Sequence, residues 1–179
     1  DRRSGCAASR DVGHGRCAAA CPTAGIALTL GDIGDRKDLP ALEEDLEAVN
    51  VPGLYIAGEL SGFALVRTAV TQGVAVADAV ARRREQHPNG KGRVADSDVL
   101  DLLIVGAGPA GLSCSLRSQE LGIRFATIEQ EERIGGTVAG YPRRKMVMTQ
   151  PVELPLHGKL NRQTYQKEEL IDLWESVQT

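Results

Sequence analysis

The fold of this 179-residue chain is decided by the stretch Val99-Leu100-Asp101-Leu102-Leu103-Ile104-Val105-Gly106-Ala107-Gly108-Pro109-Ala110-Gly111. An apolar run of strand length leads into a glycine-rich turn, and a helical pattern then continues to about Leu121. In the G-x-G-x-x-G pattern, Gly106 permits a tight turn, Gly108 lets the backbone approach a pyrophosphate, and Gly111 lets the helix lie close to the strand. Pro at the first helical turn costs no hydrogen bond, which suits Pro109.

The residues after this helix complete a nucleotide-binding pattern. A second strand is predicted over Arg124–Glu129, and its final acid lies 18 positions after Gly111, against roughly 20 for a ribose-binding acid. A carboxylate there accepts hydrogen bonds from ribose hydroxyls and repels a 2′-phosphate, so NADP is disfavoured at this site. The alternative, that the glycines only make a tight turn, does not explain the strand, helix, strand and acid in register. The predicted fold is α/β, with a Rossmann-like parallel sheet that binds FAD or NAD(P) over residues 99–179.

Composition limits the class of protein. The hydrophobic fraction of 42% and the charged fraction of 25% are typical of globular proteins, and the net charge of -3 gives no support for nucleic-acid binding. No apolar run approaches the roughly 18 residues of a membrane-spanning helix. The four cysteines do not form the pattern of a secreted disulfide scaffold, so the cytoplasm is the expected compartment. A homodimer is compatible with this composition.

The C-terminal region resembles the start of flavoprotein reductases of the thioredoxin-reductase-like group, including the bacillithiol-disulfide-reductase-like branch. The resemblance implies that the ADP part of FAD binds here and that a paired-glycine loop lies beside the cofactor. The residues that carry it are Gly106-Ala107-Gly108-Pro109-Ala110-Gly111-Leu112, Ile128-Glu129, Gly135-Gly136-Thr137 and Tyr141-Pro142. By this resemblance the ADP part would contact Gly106, Gly108, Pro109, Ala110 and Glu129, and the neighbouring loop would be Gly135, Gly136 and Thr137.

An earlier segment resembles the motif that closes the FAD site near the C-terminus of the same reductases. The segment is Val-Pro-Gly-Leu-Tyr-Ile-Ala-Gly-Glu, residues 51–59. Its pattern predicts a buried strand over Leu54–Ala57. The residues after it predict an amphipathic helix from about Phe63 to Arg84. The resemblance implies that Gly58 and Glu59 contact FAD, although Glu59 stands where the family has Asp. The order is permuted. We expect the FAD-site-closing segment, residues 31–85, to be followed by a linker at 86–98, and its residues 51–85 to fold back onto residues 99–136. The alternatives are the tail of a preceding unit and a strand–turn–helix of an unrelated domain.

Residues 1–30 contain three of the four cysteines. Cys17-Ala18-Ala19-Ala20-Cys21-Pro22 resembles the end of a ferredoxin cluster motif, and this implies a ferredoxin-like 4Fe-4S remnant with Cys17 and Cys21 as metal ligands. Asp11 and His14 occupy two expected cysteine positions, so no stable cluster is expected from this chain alone. A zinc site that uses Cys6, His14, Cys17 and Cys21 and a set of free thiols remain alternatives.

Together these resemblances imply part of an FAD-dependent NAD(P)H oxidoreductase with a fused ferredoxin-like domain. Electrons would pass between a nicotinamide nucleotide, FAD and an iron–sulfur or disulfide acceptor of unknown identity. The chain does not begin with Met and ends in a helical pattern, so we expect an incomplete, inactive fragment whose nicotinamide-binding domain lies beyond Thr179. No residue is nominated as a catalytic acid, base or nucleophile. The competing hypothesis is a non-catalytic module that binds FAD or ADP.

Overall fold

The computed structural model describes residues 39–86 and 99–177, which all lie in one compact unit, Asp38–Thr179. The predicted ferredoxin-like remnant at 1–30, its candidate ligands Cys17 and Cys21, and linker residues 87–98 lie outside the described residues. Three helices and six strands are described. The helices are α1 (Val66–Gln86), α2 (Pro109–Glu120) and α3 (Lys167–Ser176), and the strands are β1 (Leu102–Val105), β2 (Phe125–Ile128), β3 (Met146–Met148), β4 (Val152–Leu154), β5 (Gly158–Leu160) and β6 (Thr164–Gln166).

Strands β1 and β2 form the parallel pair that the sequence predicts. Leu102 pairs with Phe125 and Val105 with Ile128, and α2 connects the two strands. Side chains alternate along β1, so Ile104 is buried while Leu103 and Val105 are exposed on the opposite face. A hydrogen bond of 2.7 Å between the hydroxyls of Ser115 and Thr127 links α2 to β2. The strand–helix–strand unit of a Rossmann-like domain is therefore present.

Helix α1 packs closely against α2. A Cβ atom at Gly73 would collide with the carbonyl oxygen of Ala110 and with the Ser113 hydroxyl, so glycine sets the closeness of the two helices. The Ser113 hydroxyl donates to the carbonyl of Val70 at 3.0 Å. The predicted amphipathic helix is thus confirmed, with its start three residues later than expected and its end at Gln86. Its buried face comprises Val66, Ala69, Val70, Gly73, Val76, Ala77, Ala79 and Val80.

The predicted buried strand over Leu54–Ala57 is wrong. Tyr55 makes one isolated antiparallel bridge with Glu47, and Leu54 is 48% exposed. The turn at Pro52-Gly53, where Gly53 has a φ of +90°, directs this segment back along residues 46–48. Its backbone hydrogen bonds then go to Ala48 and Leu46. The apolar side chains of Leu54–Ala57 therefore lie beside a local turn. This segment does not pair with any strand of the described residues, 39–86 and 99–177.

The C-terminal part adds two small antiparallel strand pairs and a helix. Strand β3 pairs with β6, and β4 pairs with β5. The predicted last helix is confirmed as α3, whose Leu170 and Trp174 are completely buried. Gln166 and Glu169 form a capping box at its start, with the Gln166 amide donating to Glu169 at 2.7 Å. In the described part of the chain, no helix is both long and apolar enough to cross a membrane.

Candidate functional site

The glycine-rich turn between β1 and α2 has the geometry that its sequence predicts. Gly106 has a φ of +100°, and a Cβ atom built there would meet nothing within 4 Å, so open space lies beside the turn. Gly108 is the N-cap of α2 in an extended conformation, and Pro109 follows at the helix start. A Cβ atom at Gly111 would collide with the Gly106 carbonyl and lie 3.3 Å from Ile104 Cγ2. Only glycine at position 111 allows this helix-to-strand distance.

Glu129 lies beside this turn and is held by backbone amides. Its carboxylate accepts hydrogen bonds from the amides of Ala107 at 2.6 Å, Gln130 at 2.8 Å and Glu131 at 3.1 Å. The Ala107 bond, followed by the Glu131 bond, lowers the pKa of the Glu129 carboxyl, and burial opposes this only in part. The carboxylate is therefore charged and fixed next to the Gly106–Gly108 turn, where an adenosine ribose would be recognised.

The paired-glycine loop packs against the same turn. The Gly135 amide donates to the Ala107 carbonyl at 2.9 Å, and Gly135 has a φ of +116°. A Cβ atom at Gly136 would lie 3.1 Å from Gly108 Cα, so the two backbones are in contact. Gly136 begins a 3-10 turn, Gly136–Val138, that contains Thr137. The structure thus brings Gly135, Gly136 and Thr137 next to the glycine-rich turn between β1 and α2.

The segment that precedes α1 also packs beside the glycine-rich turn and the paired-glycine loop. The Gly58 amide donates to the side chain of Gln72 at 2.7 Å, and a Cβ atom at Gly58 would lie 3.3 Å from Ala110 Cβ. The Thr137 hydroxyl donates to the Glu59 carboxylate at 3.0 Å. The predicted packing of residues 51–85 against 99–136 is therefore present within the compact unit. Contact of Gly58 and Glu59 with a flavin remains a proposal.

Two hollows flank the glycine turn. The first, here called the apolar cavity, has a volume of about 310 Å³ and is bordered by the start of α1 and by β3. The second, the acidic groove, contains Glu129. Apolar side chains of the apolar cavity include Leu60, Phe63, Leu65, Val66, Val138 and Val147. Both hollows are lined by Leu60, Val105, Gly106, Gly108, Gly136 and Thr137. The glycine turn therefore belongs to the lining of both hollows.

Two residues near this site escaped the sequence analysis. Gln72 lies on the otherwise apolar face of α1 and holds the Gly58–Ser61 turn through Gly58 and Ser61. A polar residue between the buried Ala69, Gly73 and Val76 was the available signal. Lys145 lines the apolar cavity and precedes β3. No sequence pattern distinguishes it from other surface lysines.

The described residues offer no redox thiol or metal centre. Cys114 is buried, and burial raises the pKa of its thiol to about 11, which keeps it protonated. Among residues 39–86 and 99–177, no cluster of three or more His, Cys, Asp or Glu side chains could hold a metal ion.

Comparison with known proteins supports the fold. The model of the family described as an NAD(P)-binding Rossmann-like domain matches residues 104–169. No curated protein and no solved structure matches the chain. The match, the parallel β1–β2 pair and the three helices define a Rossmann-like NAD(P)-binding domain. Domains of this family occur mainly in oxidoreductases, which supports a nucleotide-binding role of the oxidoreductase type.

Proposed function

We propose that this chain binds FAD and forms part of an FAD-dependent NAD(P)H oxidoreductase. The observation that carries the proposal is that the Gly106–Gly108 turn lines both the acidic groove and the apolar cavity. A dinucleotide with one ribose end and one large aromatic end matches this succession of surfaces. We expect the protein to work in the cytoplasm with a nicotinamide nucleotide as partner.

The ADP half of the cofactor belongs at the turn and in the groove. The charged Glu129 carboxylate accepts hydrogen bonds from ribose hydroxyls and disfavours a 2′-phosphate, so FAD or NAD is favoured over NADP. The open space beside Gly106 admits a pyrophosphate. The N-terminus of α2 offers backbone amides from Ala110 onward, since Pro109 has no N–H, and a positive dipole end. These features fit the ADP group that FAD and NAD share.

The apolar cavity favours the flavin half. Its volume of about 310 Å³ and its aliphatic and aromatic walls suit a planar ring system. Phe63 and Leu65, both about half exposed, would lose water contact when the ring binds. The Glu59 carboxylate accepts a hydrogen bond from Thr137, and its proposed role is to contact the ribityl chain. When bound, flavin supplies the redox chemistry, while the protein positions it and tunes its potential.

Residues 51–85 therefore complete the site in permuted order. The Gly58–Ser61 turn and the start of α1 approach the cofactor as the closing motif of the related reductases does. Electrons would come from NAD(P)H bound by a further domain and would leave to an iron–sulfur or disulfide acceptor. Cys17 and Cys21 are proposed as cluster ligands only in the presence of additional ligands.

The alternative is a non-catalytic FAD- or ADP-binding module. The observation in its favour is that the whole sequence contains a single G-x-G-x-x-G turn, so a second nucleotide site for NAD(P)H has no counterpart here. Reduction of protein-bound flavin by NADH or NADPH separates the two functions. A module would keep its flavin oxidised under anaerobic conditions, whereas a reductase that includes its nicotinamide-binding domain would bleach it.

The direct test is cofactor binding by the 179-residue chain. We expect near-stoichiometric FAD after purification or after incubation with FAD, measured by absorbance and by chromatography of the released nucleotide. Gly108→Val should abolish binding because its side chain would occupy the approach to the pyrophosphate. Thr71→Val, an exposed change on α1, is the matched control for fold and yield. A folded wild-type chain without affinity for FAD, or undiminished FAD in Gly108→Val, would overturn the proposal.

A further inference from the structure

The positive charge in the apolar cavity comes from one side chain. Of the described residues that line it, Lys145 alone is cationic, and Glu59 alone is anionic. Glu59 is engaged with the Thr137 hydroxyl on the side of the glycine turn. Lys145 instead belongs to the wall formed by Tyr141, Met146 and Val147. The cavity is therefore electrically asymmetric.

The backbone of Lys145 is fixed by two hydrogen bonds. Its amide donates to the Pro142 carbonyl at 3.2 Å, and its carbonyl accepts from the Lys167 amide at the start of α3 at 2.9 Å. These bonds join Lys145 to a turn and to a helix whose Leu170 and Trp174 are buried in the core. The position of its Cα atom is thus set by the packed part of the domain.

The side chain is directed by an aromatic ring. Lys145 Nζ lies 4.1 Å from the centroid of the Tyr141 ring, which is a cation–π contact. Tyr141 packs against the core, and its carbonyl accepts a hydrogen bond of 2.6 Å from Lys167 Nζ. Within residues 39–86 and 99–177, Lys145 makes no salt bridge. An exposed cation–π contact is weak, so the ammonium can turn toward a stronger anionic partner.

We propose that Lys145 stabilises negative charge on the reduced flavin ring; this inference rests on the proposed FAD function. Hydride transfer from a reduced nicotinamide adds two electrons and one proton to the ring, oxidises the nicotinamide, and leaves one negative charge on the pyrimidine edge. Lys145 is the described cation able to face that charge inside the cavity. It acts as an electrostatic residue that raises the reduction potential, and it takes no proton.

The test compares Lys145→Gln, Lys145→Arg and Lys159→Gln, each loaded with FAD. Lys159 lies in β5 and does not line the cavity, so its variant removes one charge elsewhere. The measurement is the ratio of reduced to oxidised bound flavin in equilibrium with a redox dye. Lys145→Gln should lower this ratio about tenfold at a fixed dye potential, whereas Lys145→Arg and Lys159→Gln should stay within about threefold of the wild type.

The outcomes separate this inference from the proposed function. If the wild-type chain binds no FAD, the proposed function fails and this inference falls with it. If FAD binds normally and the ratio in Lys145→Gln equals that of the wild type, only the inference is overturned. An equal change of the flavin ratio in Lys159→Gln would assign the effect to net charge. That result would also overturn the inference about Lys145. A folded Lys145→Gln that binds no oxidised FAD would place Lys145 in ground-state binding, which also contradicts the proposal.

Discussion

Glu129, the acid that we propose for ribose recognition, also fixes the geometry of the glycine turn beside it. Both carboxylate oxygens accept backbone amides, and Ala107 belongs to the glycine turn itself. Because the carboxylate is held before any nucleotide binds, little side-chain entropy is lost on binding. The lowered pKa keeps it charged well into the acidic range. Discrimination against a 2′-phosphate is therefore expected to persist at mildly acidic pH.

We predict that Glu129→Gln weakens ADP binding about tenfold, because a charge-assisted hydrogen bond to ribose becomes a neutral one. The same change should strengthen 2′-phospho-ADP binding relative to ADP, since the repelling charge is gone. Calorimetric titration of both nucleotides measures the two effects. Glu175→Gln, an exposed change on α3, is the matched control. An unaltered preference between the two nucleotides in Glu129→Gln would contradict the assigned role.

Sequence reasoning identified the residues whose role depends on local geometry. The requirement for glycine at 106 and 111, and the acid at the end of β2, follow from a strand–turn–helix–strand unit of fixed spacing. Gln72 and Lys145 could not be found in this way. Their roles depend on which distant segments pack beside them, and neither periodicity nor spacing contains that information.

At the level of elements, the junction between α1 and α2 depends on Gly73. In an exposed helix, Gly→Ala stabilises by about 0.8–1 kcal/mol through helix propensity. At position 73 the added methyl would collide with the Ala110 carbonyl and the Ser113 hydroxyl. We therefore predict the opposite sign, a loss of about 1–3 kcal/mol in the free energy of unfolding. Urea unfolding measures this loss, and Thr71→Ala is an exposed control on the same helix. A Gly73→Ala variant that is more stable than the wild type would refute the close junction between α1 and α2.

Helix α3 depends on Trp174, which is fully buried but whose indole N–H has no hydrogen-bond partner among the described residues. Trp174→Ala removes most of a large core side chain and should cost about 3–5 kcal/mol of stability. Trp174→Phe keeps an aromatic ring and removes the unpaired donor, so it should cost less than half as much. Thermal or urea unfolding of both variants separates the effect of lost core packing from the effect of the unpaired indole N–H. Equal losses in both variants would show that the volume of the core is not the main factor.

The elements that sequence reasoning predicted well are those with strong periodicity. Helix α1 and helix α3 show clear apolar faces, and β1 is an apolar run before a glycine turn. The strand expected at Leu54–Ala57 has the same apolar character but makes its hydrogen bonds with a local turn. The three-residue strands β3 to β6 are too short to show alternation. Their pairing is decided by the core around Leu154, Leu160 and Tyr165.

At the scale of the whole molecule, the two described stretches are held together by apolar packing and by a few charges. Asp101 precedes β1, and its side chain is only 9% exposed. It accepts the Arg124 amide at 3.1 Å and lies 3.4 Å from the guanidinium groups of both Arg124 and Arg84. Arg84 lies near the end of α1, so one carboxylate connects that helix to the β1–β2 pair.

The ionisation of Asp101 makes this connection dependent on pH. Burial alone would raise the pKa of its carboxyl, but the hydrogen bonds from Arg124 and the charges of Arg84 and Arg124 outweigh burial and lower it. A carboxyl whose folded-state pKa is depressed stabilises the fold above its unfolded pKa of about 3.9. That contribution is lost as the pH falls through the lower folded-state value. Acidification below about pH 4 should therefore weaken the contact of α1 with the sheet.

We predict that Asp101→Asn lowers the free energy of unfolding by about 1–2 kcal/mol at pH 7, since both arginines are partly exposed and screened. The deficit should shrink as the pH falls below about 4, because the wild-type carboxyl then becomes neutral. Urea unfolding at pH 7, 5, 3.5 and 2.5 measures it, and Asp172→Asn on the exposed side of α3 is the control. Loss of FAD affinity should accompany the deficit, because α1 would no longer be held with its start at the apolar cavity. A deficit that stays constant across this range would mean that shape, and not charge, makes Asp101 important.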